Sequence, residues 1–200
     1  MTALPEPVRR LAIAAPRRPL TIADYVALDE DDQFHAELQE GALVMTPSPE
    51  PEHNLIGLEL AVQVRAQLPP ELIAVPDVDI DLQLEPADGP ATVRRPDLVV
   101  VRQIELDRRK SEGGVLRASN VVVVVEIVSP GSRRMDYHTK RDEYADAGIP
   151  HYWIIDSTAP MSLLALSLTE ELGYVDNGEV TGTFTTTSPC PLTIELDKLG

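Results

Sequence analysis

The pattern of apolar and polar positions predicts a helix, a β-hairpin and a second helix in the first third of the chain. Thr21 precedes a short apolar segment with an acidic end, and its hydroxyl can accept hydrogen bonds from the free amides of a first helical turn. Apolar residues alternate on both sides of Glu40 and Gly41, which favours a hairpin with a tight turn. Apolar residues then recur at three- and four-residue steps, so we expect a helix over 52–68.

Strand patterns dominate the rest of the chain. Apolar and polar residues alternate over 78–84, which predicts a strand with one face in the core and a row of acids in water. Residues 98–101 and 121–125 are unbroken apolar runs rich in β-branched side chains, a pattern typical of central strands covered on both faces. Helical spacing over 135–147, followed by a glycine and a proline, predicts one more helix. Further strands are expected over 152–155, 163–168, 181–187 and 193–196.

Length and composition are those of one globular unit. The chain has 200 residues, of which 43% are apolar and 25% charged, and this length suffices to bury a sizeable core. We expect a flexible tail over residues 1–20 and a single domain over 21–200, because the apolar stretch of the tail is too short for a secretory signal. A single cysteine excludes an internal disulfide and a multi-thiolate metal centre, and favours a cytoplasmic location. Neither composition nor pattern predicts membrane association.

Charge is unevenly distributed along the sequence. The net charge of −16 argues against a polyanionic partner for the molecule as a whole. Residues 94–141, however, carry eleven Lys or Arg and six Asp or Glu, a local net charge of +5. This basic strip is either a nucleic-acid-binding surface or the ordinary scatter of solvated charge.

Two acidic residues lie at the ends of the two most apolar strands. Asp97 comes directly before the first run and Glu126 directly after the second. A carboxylate in such surroundings costs several kcal/mol unless a cation or hydrogen bonds meet it. A shared magnesium ion is one explanation, because magnesium prefers oxygen ligands such as carboxylates. Ion pairs with nearby cations such as Arg94 or Arg95 are the alternative.

The helix predicted after Glu126 carries three polar residues at steps of four. Asp136, Lys140 and Tyr144 therefore share one helical face. The connecting loop is long enough for the helix to fold back over the strand, which would let Lys140 reach the two acids. The alternatives are a surface ion pair between Asp136 and Lys140, and a packing role for Tyr144.

The residues of this region resemble a known family. PDLVVV at 96–101 and EIVSPGSRRMDYHTKRDEYADAGIPHYWIID at 126–156 resemble the Uma-two family of bacterial restriction-endonuclease-like proteins, a branch of the PD-(D/E)xK nuclease superfamily. Segments 35–44 and 52–56 resemble its opening hairpin and first core helix, so the resemblance covers roughly residues 20–170. It implies an α/β (α+β) fold, in which a restriction-endonuclease-like mixed β-sheet is flanked by helices in αβββαβ order, with an N-terminal hairpin and extra C-terminal strands.

The resemblance also implies a magnesium-dependent endodeoxyribonuclease, with manganese as an alternative metal. Asp97 and Glu126 match the two metal-binding acids, and the main-chain carbonyl of Ile127 would be a further ligand. Val128 occupies the position where the superfamily pattern has its lysine. In this family the ammonium group is expected from the following helix, at Lys140.

Further residues receive substrate-binding or accessory roles under the same hypothesis. The nucleic-acid backbone, in the first place that of double-stranded DNA, would be held by Arg94, Arg95, Ser132, Arg133, Arg134 and Arg141. Ser132 near the helix start is equally compatible with a simple cap. The accessory candidates, each of which could instead be structural, are Glu37, His53, Asp136 and Tyr144.

Two other functions remain open at the level of sequence. Val128 and the strong acidity favour a catalytically silent binding or assembly module with the same fold. The acidity also suits a hydrolase acting on a small phosphate ester. Cutting both strands of a duplex is simplest with two copies of one site, so a homodimer is a further hypothesis, with 152–154, 163–168 and 193–196 as its surface or else as core and edge strands.

Overall fold

A six-stranded mixed sheet forms the centre of this computed structural model, which describes residues 18–28, 35–46, 48–129 and 131–200. Most of the tail predicted over 1–20 therefore lies outside the described residues. The helices are α1 (Ile22–Val26), α2 (Pro51–Arg65), α3 (Gln103–Glu112) and α4 (Lys140–Asp146). The strands are β1 (His35–Gln39), β2 (Ala42–Thr46), β3 (Leu72–Pro76), β4 (Ile80–Asp81), β5 (Val93–Arg94), β6 (Leu98–Arg102), β7 (Leu116–Arg117), β8 (Val121–Val128), β9 (His151–Asp156), β10 (Ser162–Thr169), β11 (Gly173–Thr181), β12 (Thr183–Thr186) and β13 (Leu192–Glu195).

The central sheet has the strand order β11-β10-β9-β8-β6-β3. Strands β8 and β9 are parallel, and every other neighbouring pair in this sheet is antiparallel. All eight residues of β8 are buried, which confirms the prediction from its unbroken apolar run. The succession α2, β3, β6, β8, α4, β9 has the expected αβββαβ order, and the mixed α+β fold class is confirmed.

Two layers of apolar side chains cover the faces of this sheet. Helix α2 packs Ile56, Leu60 and Val64 against one face, together with the side chains of Val125 and Ile127. On the other face, Tyr144 of α4 packs with the aromatic residues Tyr152 of β9 and Tyr174 of β11. Since successive side chains of a strand point to opposite faces, Glu126 is directed towards α4.

The predicted strand over 78–84 is largely wrong, because only Ile80–Asp81 are in a strand. Asp77 and Gln83 have φ angles of 47° and 55°, which interrupt an extended conformation on both sides. Asp79 is not free in water, since it forms an ion pair with Arg95. Strands β3 and β11 and helix α3 have no counterpart in the sequence prediction, and α2 ends three residues earlier than expected.

The surface proposed for a dimer lies in the core of the fold. Tyr152, Trp153 and Ile154 are at most 2% exposed, because their side chains pack in the apolar layers on the two faces of the sheet. Strand β10 is covered in turn by β11, and β13 packs against α2. These residues are therefore core and edge strands, the alternative that the sequence left open. Within the described residues, no helix has the length and apolarity needed to cross a membrane.

Candidate active site

Asp97 and Glu126 meet at one end of the central sheet. The antiparallel register of β6 and β8 places Leu98 opposite Val125, so that Asp97, just before β6, reaches the last residues of β8. Its Oδ2 accepts a hydrogen bond of 2.6 Å from the backbone amide of Ile127. Its Oδ1 lies 3.5 Å from Nε2 of His53. The backbone of β8 thus fixes the Asp97 carboxylate in this position.

Glu126 is held by two donors from α4. Its Oε1 lies 2.8 Å from Nζ of Lys140 and accepts a 2.7 Å hydrogen bond from the hydroxyl of Tyr144. Glu126 and Lys140 are 4% and 7% exposed, so this ion pair is shielded from water. Neither contact uses Oε2 of Glu126. The structure therefore brings Asp97, Glu126 and Lys140 to one end of the sheet, with Lys140 paired to the second acid.

A π-helical turn over Met135–Thr139 precedes α4 and directs its polar residues inward. The amide of Lys140 donates to the carbonyl of Met135, five residues earlier. Such turns are rare and occur frequently at functional sites. Asp136 is 1% exposed, so the surface ion pair that the spacing also allowed is not formed; the pair with Lys140 is buried, at 3.6 Å. Tyr144 packs in the core and also binds Glu126.

The carboxylate of Asp136 is unusual because it is buried without a hydrogen-bond donor. Neither of its oxygens has such a partner among the described residues. Burial outweighs the opposing effect of Lys140, so that the pKa of Asp136 is raised above its ordinary value. A buried polar group of this kind is typically explained by a bound ion or water. Asp136 therefore marks an excess of negative charge beside Lys140.

Burial also perturbs the two groups of the central ion pair. The pKa of Glu126 is raised to about 8, chiefly by burial and also by the nearby carboxylates of Asp136 and Asp97, while Lys140 acts in the lowering direction. Burial by itself would lower the pKa of Lys140, but the carboxylates of Glu126, Glu37 and Asp136 outweigh it and raise this pKa. Lys140 is therefore a firmly protonated ammonium group, and Glu126 lacks full compensation of its charge.

Arg94 is not available to a phosphate, contrary to its predicted substrate-binding role. It is fully buried and donates to Glu37 at 2.9 Å and to both oxygens of Glu143 at 2.6 and 2.7 Å. The other oxygen of Glu37 accepts from the amide of Arg95 and lies 3.9 Å from Nζ of Lys140. This network ties the β1–β2 hairpin to α4. Glu37 is thus a structural neighbour of the site, and Glu143 is a member of it that the sequence analysis missed.

The other predicted phosphate contacts are mostly engaged within the protein. Arg95 forms an ion pair with Asp79 at 2.7 Å, so neither Arg94 nor Arg95 neutralises Asp97 or Glu126. Arg141 donates to the carbonyl of Tyr174.

The loop between β8 and α4 carries the remaining candidates. Arg133 is paired with Asp156 and stacks over the ring of Tyr137, although its side chain is 58% exposed. The Ser132 hydroxyl accepts a hydrogen bond from the amide of Ser129, three residues before it in the loop, and among the described residues no side chain caps the helical turn that begins at Met135. Arg134 is exposed and forms no ion pair or side-chain hydrogen bond with the described residues. Arg134 is thus the candidate least engaged within the chain.

The basic strip over 94–141 is divided between the two ends of the sheet. Strand β6 separates Asp97 from Arg102 and α3 by about 17 Å, at about 3.3 Å per residue. The exposed cations at the far end are Arg102, Arg109, Lys110 and Arg117. These four side chains cannot reach a phosphate bound at Asp97, so the strip is not one continuous surface.

Some of the polar atoms around Asp97 are oxygen atoms of the kind that bind a hard divalent cation. Among the described residues, no three His, Cys, Asp or Glu side chains already form a metal-binding cluster. The atoms that do converge are Oδ1 of Asp97, Nε2 of His53 and the carbonyl oxygen of Ile127, which lies 3.0 Å from that nitrogen. Glu126 directly precedes Ile127 on β8. Asp97 and the Ile127 carbonyl thus lie beside His53, and Glu126 occupies the adjacent position on β8.

The Tyr144 hydroxyl provides a test of how Glu126 is positioned. We expect Tyr144→Phe to cost about 1.5–3 kcal/mol of unfolding free energy, the usual value of a hydrogen bond to a charged group, and to slow the nucleic-acid cleavage that the sequence predicts. Tyr174→Phe is the matched control, because it removes a 2.6 Å hydrogen bond to the Ile149 carbonyl that does not involve Glu126. Urea unfolding and cleavage rates are measured for both variants. Equal effects of the two on cleavage would contradict the positioning role of Tyr144.

A known protein structure has a similar fold. A solved structure, "Crystal structure of a putative nuclease belonging to DUF820 from Anabaena variabilis ATCC 29413", is similar with a TM-score of 0.63 and 18% identity, covering 90% of this chain and 97% of that chain. A search of curated proteins found no match. Residues 22–181 match the Uma2 family, described as "Putative restriction endonuclease". Since the match covers most of its 200 residues, the chain belongs to the Uma2 family, as the residues around Asp97 and Glu126 predicted.

Proposed function

We propose that this protein is a metal-dependent endonuclease that hydrolyses phosphodiester bonds in DNA. The observation that carries the proposal is the convergence of Asp97, Glu126 and Lys140 at one end of the sheet. Family membership supports a nuclease in general terms. Magnesium, or manganese in its place, is the metal proposed for Asp97, Glu126 and the carbonyl of Ile127.

The charge balance around Lys140 supports a bound cation. Among the described residues, the connected carboxylates are those of Glu37, Asp97, Glu126, Asp136 and Glu143. The permanently charged side chains that form ion pairs with these carboxylates are Arg94 and Lys140. Burying uncompensated carboxylates is costly, so a divalent cation next to Asp97 and Glu126 would stabilise this arrangement.

The residues of the site have separable roles in the proposed reaction. Asp97, Glu126 and the Ile127 carbonyl would hold the divalent metal, which would supply an activated water and compensate negative charge on the scissile phosphate. Lys140 donates to Glu126 through Nζ and has further protons for a phosphate oxygen or an attacking water. Tyr144 holds the Glu126 carboxylate in place from the protein side.

Few cationic side chains near the site are available to bind a nucleic-acid backbone. Arg134 is free of protein partners among the described residues, and Arg133 is exposed but paired with Asp156. Together with the net charge of −16, this predicts weak and strongly salt-dependent DNA binding. The same observation favours hydrolysis of a small phosphate ester as a second candidate function. Product analysis with oligonucleotides and with mononucleotides distinguishes the two.

The decisive experiment replaces Glu126 by glutamine, which keeps the shape of the side chain and removes its charge. We expect Glu126→Gln to lose magnesium-dependent cleavage of a DNA duplex by about 10²-fold or more, because one metal ligand and the partner of Lys140 are lost together. Glu170→Gln, at an exposed turn, is the control and should cleave at the wild-type rate. Cleavage rates and magnesium binding by calorimetry are measured for the three proteins.

Three outcomes of this experiment are informative. Loss of cleavage and of magnesium binding in Glu126→Gln alone supports the proposal. Wild-type cleavage by Glu126→Gln would remove Glu126 from the site. A wild-type protein that binds neither magnesium nor manganese and cuts no DNA would favour the catalytically silent module.

A further inference from the structure

We propose that Asp136 is a second binding position for the ammonium group of Lys140, a positioning residue that keeps this group at the end of β8 when Glu126 binds another partner. This role rests on the proposed function, in which Glu126 and Lys140 act on the same phosphodiester. Nζ of Lys140 lies 2.8 Å from Oε1 of Glu126 and 3.6 Å from Oδ1 of Asp136. A shift of the ammonium group by about 0.8 Å would give it a charge-assisted hydrogen bond to Asp136.

Three carboxylates surround the ammonium group of Lys140, and among them Asp136 is the one with unengaged oxygens. Glu126 accepts a hydrogen bond from the Tyr144 hydroxyl in addition to its contact with Lys140. Glu37, at 3.9 Å, accepts from a backbone amide and from a buried guanidinium group. Both oxygens of Asp136 are buried without a hydrogen-bond partner among the described residues. An ammonium group has three protons to donate, so Asp136 can accept one that Glu126 gives up.

The backbone of Asp136 is fixed on both sides, although its carboxylate is not. Its amide donates a 3.0 Å hydrogen bond to the carbonyl of Ser132, and its carbonyl accepts a 2.8 Å hydrogen bond from the hydroxyl of Tyr152. Asp136 also lies in the π-helical turn Met135–Thr139, and both it and Lys140 are buried. The main chain therefore holds the side chain beside the ammonium group, and its position does not depend on Glu126.

Burial of the Asp136 carboxylate costs stability, which argues for a role outside folding. A buried charge is costly unless it is both paired and hydrogen-bonded. Within the described part of the chain, Asp136 has one ion pair, at 3.6 Å, and no hydrogen bond to its carboxylate. What the carboxylate supplies is negative charge next to Lys140. That charge keeps Lys140 protonated and in place when the charge of Glu126 is engaged elsewhere.

The test follows the ammonium group of Lys140 directly and needs neither metal nor substrate. The chain has three lysines, of which Lys110 and Lys198 are exposed, so their ammonium protons exchange rapidly with water. In the full chain labelled with ¹⁵N-lysine, we expect one slowly exchanging ammonium signal by nuclear magnetic resonance, which Lys140→Met removes. We expect this signal to persist in Glu126→Gln, where Asp136 receives the ammonium group. It should disappear in the double variant Glu126→Gln, Asp136→Asn.

A matched double variant removes the same number of charges. Asp142 is exposed on α4, two residues after Lys140, so Glu126→Gln, Asp142→Asn should retain the ammonium signal. Two results would overturn the second binding position. One is loss of the signal in Glu126→Gln alone. The other is its persistence in Glu126→Gln, Asp136→Asn, in a protein that is folded by circular dichroism.

The single variant Asp136→Asn tests the inference with Glu126 in place. We expect it to retain or raise the urea midpoint of unfolding, because a costly buried charge is removed, and to slow DNA cleavage by about tenfold or more, because the ammonium group is less well placed. An unchanged cleavage rate, or slower cleavage with a matching loss of stability, would overturn the positioning role and leave the endonuclease intact. A wild-type protein that cut no DNA would overturn the proposed function, while the ammonium signals would still decide where Lys140 is held.

Discussion

Replacing Lys140 by methionine is expected to slow DNA cleavage by about 10²–10³-fold, the usual loss when one donor to a developing negative charge is removed. Lys140 is the buried ammonium group beside Glu126, at 2.8 Å. Methionine keeps much of the aliphatic volume and removes the charge. Magnesium binding should persist or strengthen, because Glu126 loses the cation with which a metal competes. Cleavage rates and calorimetric magnesium affinities check both expectations.

Lys110→Met is the matched control for this prediction. Lys110 is exposed on α3, at the end of the sheet opposite Asp97, so its removal should change neither cleavage nor metal binding at the site. If Lys140→Met cleaved DNA at the rate of Lys110→Met, the ammonium group of Lys140 would have no part in the reaction. If both variants lost the same activity, the effect would come from overall charge and DNA binding.

Replacing Arg94 by methionine is expected to lower the free energy of unfolding by about 3–5 kcal/mol. This is the usual cost of removing one partner from a buried ion pair, because the remaining charge is left without compensation. Arg94 is the partner of both Glu37 and Glu143, all within the buried network behind Lys140. Urea unfolding monitored by circular dichroism measures the change.

Arg134→Met is the control for the stability prediction. Arg134 is exposed and, among the described residues, forms no ion pair, so its replacement should change the unfolding free energy by no more than about 0.5 kcal/mol. Arg134→Met should instead weaken DNA binding, because this residue is available to a phosphate. A stable Arg94→Met protein with weakened DNA binding would restore Arg94 as a phosphate contact and contradict the structural assignment.

Central elements of the fold were predictable because their patterns have one physical explanation. An unbroken β-branched run such as 121–125 is stable only as a strand buried on both faces, and β8 is such a strand. The alternation over 78–84 was misleading, since Asp77 and Gln83 adopt positive φ angles that a pattern of polarity does not reveal. The approach of Lys140 to Glu126 followed from helical spacing and loop length. The predicted ligand and substrate-binding roles of the site residues stay predictions.

The local pattern of the sequence was sufficient to identify the central strands, the two acids at their ends and the helix that carries the ammonium group. Each of these depends on neighbours within a few residues, where side-chain periodicity reports burial directly. Which acids the arginines pair with could be known only from the tertiary structure, because the partners of Arg94 lie 49 and 57 residues away in the sequence. The basic strip is divided for the same reason, since β6 runs along the sheet and places Arg102 and the cations of α3 at its far end. Periodicity reports which residues of an element are buried, and only the packing of distant segments decides which charges they meet.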